Sequence, residues 1–377
     1  MYELFAVVTP GLERISWEEL KLLGFNPLEI EPGGIKMRGN LESIYRINLL
    51  SRTISRLLVR LGNFHAAAFS ELRKKAGRLS WEEFIFPGLN ISFRTTCHHS
   101  RLYHSKAVEE RVAGAISDRL GEKTQSILPN SIGNTKSDQM IIVRLNNDEC
   151  LISVDTSGDN LHRRGYRLQT AKAPIRENIA AAIILATGWD RQKPLLDPLC
   201  GSGTIPIEAA LMSRNIPPGL NRQFAFMQWK NFNRSAWNQI IESVKTSEIT
   251  PAPIIIGSDR DEGAIQISKN NAARAGISNL IEFNHCAISA ILPPKKPGFL
   301  ITNPPYGVRV RSNKDIRNLY AQLGNTARLL CKDWKIGILS SDPYLLSQLG
   351  FEVEKSIRFS NGGINVILGR GFVPGDQ

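Results

Sequence analysis

Paired cysteines are missing from this chain. Its five cysteines (Cys97, Cys150, Cys200, Cys286 and Cys331) are odd in number, scattered, and never in CxxC spacing. Neither a disulfide framework nor a zinc site is indicated, and a reducing cytoplasm fits. Long apolar runs are absent too, none approaching the roughly 20 residues that a membrane helix needs. The start, Met1-Tyr2-Glu3-Leu4, lacks the basic and apolar regions of a signal peptide. No internal repeat or low-complexity tract interrupts the 377 residues, which suffice for two or three domains with real cores.

Acidic residues are in short supply. Lys and Arg number 47 against 35 Asp and Glu, a formal charge of +12. Such a balance favours a polyanionic partner. Residues 1–50 carry 5 basic against 7 acidic side chains, residues 51–172 carry 19 against 12, and residues 173–377 carry 23 against 16. A nearly neutral cap followed by basic modules suits RNA or DNA better than a membrane surface. A generally basic soluble protein is the plain alternative.

What the chain does have is chemistry at three strand ends. Phe299-Leu300-Ile301 reads as a buried strand, and Thr302-Asn303-Pro304-Pro305-Tyr306-Gly307 as the loop leaving it. The two prolines enforce extended backbone and remove two N–H donors. A row of acceptors remains, the Asn303 side-chain oxygen and the Pro304 carbonyl, with Tyr306 as a flat stacking face. That set suits a planar –NH2 group such as a nucleobase amine; a Pro-Pro turn beside a packed tyrosine is the bland alternative.

Upstream, Leu195-Leu196-Asp197-Pro198-Leu199-Cys200-Gly201-Ser202-Gly203-Thr204 reads as a strand, a glycine turn and the start of an amphipathic helix. Pro206 stands where a dinucleotide fingerprint wants Gly or Ala, which weakens an NAD reading. Next, Ile254-Ile255-Ile256-Gly257-Ser258-Asp259 is a strand ending in a carboxylate suited to a ribose diol. With these three motifs in order, the chain resembles a class I S-adenosylmethionine-dependent methyltransferase of the amino-methylating type. The resemblance implies catalytic roles for Asn303, Pro304, Pro305 and Tyr306. It also implies cofactor contacts at Asp197, Cys200, Gly201, Ser202, Gly203, Thr204, Asp259, Arg260, Asn178 and Asn303, and no metal. Cys200 and Cys286 read as packing residues, since no base stands beside either in sequence.

In the N-terminal half, strands over 3–9, 27–31, 34–38 and 54–64 with helices over 11–23 and 41–50 follow a ferredoxin-like β-α-β-β-α-β order. A mixed segment follows, with helices near 69–77, 81–84 and 105–119 and strands at 91–97, 140–146 and 150–155. Within it Arg94, His98, His99, Arg101, His104 and Lys106 surround Tyr103 at a strand-to-helix junction. The cluster suits phosphate contacts with stacking, or else is a solvated basic turn.

A second basic stretch, His162-Arg163-Arg164-Gly165-Tyr166-Arg167, precedes the helix start Arg176-Glu177-Asn178. With Leu102-Tyr103-His104 and Asp155-Thr156-Ser157-Gly158, these residues give a resemblance spanning nearly the whole chain. It is to the THUMP-domain rRNA methyltransferases that make N2-methylguanosine in large-subunit rRNA, the RlmL type. That implies a ferredoxin-like part over 1–50, a THUMP RNA-binding domain over 51–155, a basic linker over 156–172 and a methyltransferase domain over 173–377. The expected fold is a doubly wound α/β (Rossmann-like) sheet with strands near 194–197, 254–258, 281–285, 299–302 and 336–340. A hairpin over 351–358 and 364–370 completes it. RNA contacts are expected at both basic stretches, with a monomer assumed. One departure stands out: Ala287 occupies the place of the usual adenine-binding Asp, and Asn284 and His285 are the possible substitutes. Two other classes stay open. One is amino-methylation of another RNA base, tRNA, DNA or a protein glutamine; the other is a non-catalytic RNA-binding assembly factor.

Overall fold

The computed structural model describes residues 1–86, 88–121, 139–168, 175–245, 252–305 and 313–375. The N-terminal half begins with β1 (Tyr2–Val7), α1 (Glu13–Leu22), β2 (Pro27–Glu31), β3 (Gly34–Gly39), α2 (Leu41–Leu50) and β4 (Arg56–His65). It continues through α3 (Phe69–Ala76), a 3-10 turn at Trp81–Glu83, β5 (Ile91–His98), α4 (Ser105–Leu120), β6 (Gln139–Asn146) and β7 (Glu149–Asp155). Local chemistry sets the boundaries. Asn40 caps α2 in a box with Ser43, and Gly24, at φ +86°, turns the chain after α1.

The ferredoxin-like part and the segment after it share one seven-stranded sheet, in the order β2-β3-β1-β4-β7-β6-β5. β4 joins them. At ten residues it is long enough to pair with β1 along one edge (Glu3 opposite Arg60) and with β7 along the other (Asn63 opposite Leu151).

The second half runs α5 (Glu177–Ala186), β8 (Leu195–Asp197), α6 (Thr204–Ser213), a 3-10 turn at Ala225–Gln228, α7 (Arg234–Lys245), β9 (Ile255–Asp259), α8 (Glu262–Arg274) and β10 (Glu282–His285). Then come β11 (Phe299–Thr302), α9 (Asn313–Leu330), β12 (Lys335–Ser340), α10 (Pro343–Ser347), β13 (Glu354–Asn361) and β14 (Ile364–Phe372). Strand order is β10-β9-β8-β11-β12-β14-β13. The sheet is parallel except for β14, which runs antiparallel to β12 and β13. This is a doubly wound α/β sheet, and the chain order reverses between β8 and β11. Open sheets of this kind bind ligands at that switch point, outside the carboxyl strand ends.

Helix α6 departs from the expected amphipathic pattern, because all ten of its residues are buried. The N-terminal half covers its outer side: Arg52 donates to the carbonyls of Leu211 (3.4 Å) and Ile216 (2.6 Å). Residues 216–237 add aromatic packing across the same joint. Tyr45 stacks on Phe226 at 4.8 Å, and Phe84 meets Trp229 edge-on at 4.8 Å. Backbone bonds reinforce it, from Gly219 to Leu49 (3.0 Å) and from Phe226 to Thr156 (3.1 Å). One hydrophobic cluster accordingly runs through both halves.

Candidate active site

Three loops meet at the carboxyl ends of β8, β9 and β11. After β8, Gly201 and Gly203 take left-handed backbone at φ +54° and +79°, which glycine adopts without strain. At Gly203 a Cβ would also press on Ser268 at 3.0 Å and the Phe283 ring at 3.2 Å. The loop is buttressed by α8: Ser268 Oγ donates to the Gly201 carbonyl at 2.8 Å, and Asn271 Nδ2 to the Ser202 carbonyl at 3.0 Å. Arg274 holds Asn271 in turn and donates from Nε to the Tyr166 carbonyl at 2.8 Å. Ser268, Asn271 and Arg274 were not among the expected site residues. Their i, i+3 spacing in the sequence marks a helix face without saying which loop it meets.

Asp259, at the end of β9, accepts from the Gly201 amide on Oδ2 (3.0 Å) and from the Asp261 amide on Oδ1 (3.0 Å). Each oxygen keeps a further lone pair, as a pair of vicinal hydroxyls requires. At the end of β10, Asn284 Nδ2 turns to Glu282 at 2.8 Å, and His285 Nε2 lies 3.1 Å from the Arg260 carbonyl. Ala287 is exposed and opens a short 3-10 turn.

After β11, the Asn303 side-chain oxygen is buried and without a protein partner among the described residues. A buried amide oxygen without a donor is costly. Pro304 is buried and Pro305 half-buried beside it; Tyr306 lies outside the described residues. Thr302 Oγ1 donates to Asp197 Oδ1 at 2.6 Å. Burial pushes the Asp197 carboxyl up to about 7, an effect moderated by the bonds from Thr302 and the Leu199 amide, while nearby Asp259 adds to it. Burial, with the charges of Asp197 and Asp259, raises the Cys200 thiol well above its ordinary range, which disfavours the nucleophilic thiolate. Ser202 and Thr204 are buried with it. Asn178 spends its amide donors on the Thr53 carbonyl (3.2 Å) and Ser55 Oγ (3.1 Å), and its buried Oδ1 has no partner among the described residues.

The two basic stretches diverge in role. Arg94, His98, His99, Arg101, His104 and Lys106 are all exposed, as is Tyr103. His104 Nδ1 is nonetheless occupied, capping α4 through the Ala107 amide at 3.3 Å. The second stretch is a correction. Arg164 and Tyr166 do not face a polyanion; both are buried against Glu208 of α6, at 3.4 Å and 3.0 Å. Arg167 is likewise spent on the Ile175 carbonyl and Glu177. Burial and the charges of Arg176, Arg164, Arg167 and Arg163 depress His162 to about 4, so at neutral pH it offers phosphate no charge. Arg163 alone of the five stays exposed and loosely paired, 3.7 Å from Asp159.

Family models match three stretches of the chain. They are an RlmL ferredoxin-like domain over residues 3–58, a THUMP domain over 66–155 and an RMKL-like methyltransferase domain over 164–368. A Synechocystis protein, slr0064, is 33% identical over 97% of this chain and 95% of its own length, and carries a provisional name as an RNA methyltransferase. The ribosomal RNA large subunit methyltransferase K/L of Syntrophotalea carbinolica is 33% identical over 97% of this chain, but the chain spans about half of that relative, 53%. Among solved structures, SMU.472, a provisionally assigned methyltransferase complexed with SAH, superposes with a TM-score of 0.88 at 30% identity, covering 100% of this chain and 98% of its own. A Listeria monocytogenes protein described as a predicted N6-adenine-specific DNA methylase gives 0.86 at 32% identity, covering 97% and 95%.

Proposed function

This chain belongs to the RlmL-type family of THUMP-domain methyltransferases, and on that footing we propose that it methylates the exocyclic N2 amine of a guanosine in large-subunit rRNA, using S-adenosylmethionine. The observation that carries the proposal is the buried Asn303 oxygen, without a partner among the described residues, at the switch point where the glycine loop also lies. Asp259 would hold the ribose hydroxyls, and the Gly201–Gly203 turn would admit the rest of the methyl donor. When bound, S-adenosylmethionine supplies an electrophilic methyl group on a sulfonium, whose departing sulfur needs no acid.

The protein's own task is to make a poor nucleophile competent. An aromatic amine is weakly nucleophilic because its lone pair is delocalised into the ring. Asn303 Oδ1 and the Pro304 carbonyl, accepting its two N–H bonds, favour a pyramidal nitrogen with its lone pair aimed at the methyl group. This is positioning with preorganised electrostatics, and the surplus proton of the methylated amine passes to water. Tyr306 would stack on the base. A paired guanine is inaccessible, so the target is flipped out or modified before its helix closes.

The acceptor pair alone does not choose among guanine N2, adenine N6 and cytosine N4. The K/L relatives, named for large-subunit rRNA, favour rRNA, and the resemblance favours guanine; the Listeria neighbour keeps adenine N6 as the second reading. The exposed basic cluster beside Tyr103 supports RNA over a protein substrate. The test is to incubate the protein with labelled methyl donor and unmodified rRNA, digest to nucleosides and identify the labelled one. N2-methylguanosine is expected. N6-methyladenosine as sole product would overturn the base assignment, and absence of both methyl transfer and donor binding would favour the assembly-factor alternative.

A further inference from the structure

We propose that Asp197 and Thr302 form a strut that sets the position of Asn303, with Asp197 a positioning residue and not a ligand to the methyl donor. The inference rests on the methyl-transfer role of Asn303 and deepens it.

The parallel ladder between β8 and β11 contains only two pairs, Leu195 with Phe299 and Leu196 with Leu300. Beyond them the two strands flank the crevice where strand order reverses, and among the described residues no backbone pairing ties one to the other. The side-chain bond from Thr302 Oγ1 to Asp197 Oδ1, at 2.6 Å, takes over one step further on. Both residues are essentially fully buried, at 0% and 1% exposure. The same Asp197 oxygen also accepts from the Leu199 amide at 3.2 Å. One carboxylate oxygen therefore anchors the base of the glycine loop through Leu199 and the base of the amine-binding loop through Thr302.

Two further observations favour a strut. Among the described residues no Lys, Arg or His pairs with Asp197. A buried carboxylate without a cation is expensive, and the bonds from Thr302 and the Leu199 amide offset part of that cost. Thr302 is also the immediate neighbour of Asn303. Its β-branched side chain has few χ1 states, so fixing its hydroxyl fixes the backbone from which Asn303 springs.

The experiment compares T302V, T302S and D197N with the wild type, each first shown by circular dichroism to be folded. T302V removes the donor at nearly constant volume; T302S keeps it; D197N keeps an acceptor oxygen for Thr302 but no charge. Crystal structures and calorimetric donor affinities are obtained for all four proteins, and kcat and KM on unmodified rRNA. The expected result is that T302V loses about 10²-fold in kcat, as a misplacement near 1 Å would cost, with donor affinity nearly unchanged. T302S restores the rate, and Asn303 keeps its wild-type position in T302S and D197N and is displaced in T302V. Wild-type kcat in T302V, or an unmoved Asn303, would overturn the strut. A large loss of donor affinity in D197N with T302V unaffected would make Asp197 a ligand instead. If the wild type transfers no methyl group to RNA, the proposed function fails, and the position of Asn303 in the T302V crystal decides the strut on its own.

Discussion

Trp229 donates from Nε1 to the side-chain oxygen of Gln139 at 2.9 Å, and the two residues belong to opposite halves of the chain. Gln139 in turn donates to the Asp155 carbonyl at 2.8 Å. Trp229 is buried and packs edge-on against Phe84. Trp229→Ala should cost about 3–5 kcal/mol, the range for truncating a buried aromatic. Because one core runs through both halves, chemical denaturation should still show a single transition, shifted to lower denaturant. A wild-type midpoint would mean that the joint adds nothing to stability.

Asn303→Ala should lower methyl transfer by about 10²–10³-fold or more, the usual loss for one preorganised polar group. Donor and RNA affinities should persist. Single-turnover transfer of a labelled methyl group, measured beside equilibrium binding, checks both halves of the statement. An alanine variant with wild-type turnover removes the amide from the mechanism.

Asp259→Ala should weaken donor binding by about 1–3 kcal/mol, the cost of losing a charged acceptor, and should also free the Gly201 amide that it now holds. RNA affinity should stay as it was. Calorimetric titration with S-adenosylhomocysteine reads the change; an unaltered affinity would leave Asp259 as a strand terminus only.

Arg101 and Lys106 are exposed within the first basic stretch. Replacing both with Ala should flatten the salt dependence of RNA binding, since fewer neutralised phosphates means fewer counterions set free on association. The slope of log affinity against log salt is the measurement. An identical slope would show that this surface does not touch phosphate.

His162 gives a pH prediction. Its ordinary value of 6.5 falls to about 4 in the folded chain. Between those values the unfolded state binds the extra proton, so stability rises with pH across the window. The contribution is fully present above about 6.5 and is lost as pH falls toward 4. Thermal midpoints of His162→Gln should therefore slope less than wild type between pH 4 and 6.5 and match its slope above that range. Parallel curves throughout would assign the acid sensitivity to another group.

The three strand-end motifs were legible because each couples a short apolar run to residues with one evident use: glycines to turn, Asp259 to accept, prolines to stiffen Asn303. The doubly wound order followed from their sequence. The second basic stretch was not legible in the same way. An Arg-rich run reads alike whether it faces water or a carboxylate, and the carboxylate that captures Arg164 and Tyr166 lies on α6, at Glu208. Helix α6 misled for the same reason, since its one charge, Glu208, suggested a wet face but is buried. The aromatics between 224 and 237 have no period to read, because their partners Tyr45 and Phe84 are supplied by distant chain. The β8–β11 bond was hidden differently: Asp197 and Thr302 each stand inside a strand-end motif, but their separation in sequence conceals that they meet.

The aromatic joint also limits how the chain can be cut. Residues 164–368 form a recognisable catalytic unit by sequence, yet Phe226, Trp229 and Trp237 within it bury their rings against Tyr45 and Phe84. A truncated version starting at the junction would uncover a contiguous sticky face and leave Arg164 and Glu208 without the Arg52 carbonyl and backbone that enclose them. Such a fragment should self-associate rather than behave as a minimal enzyme. The N-terminal half thus doubles as the lid on the catalytic half's own core.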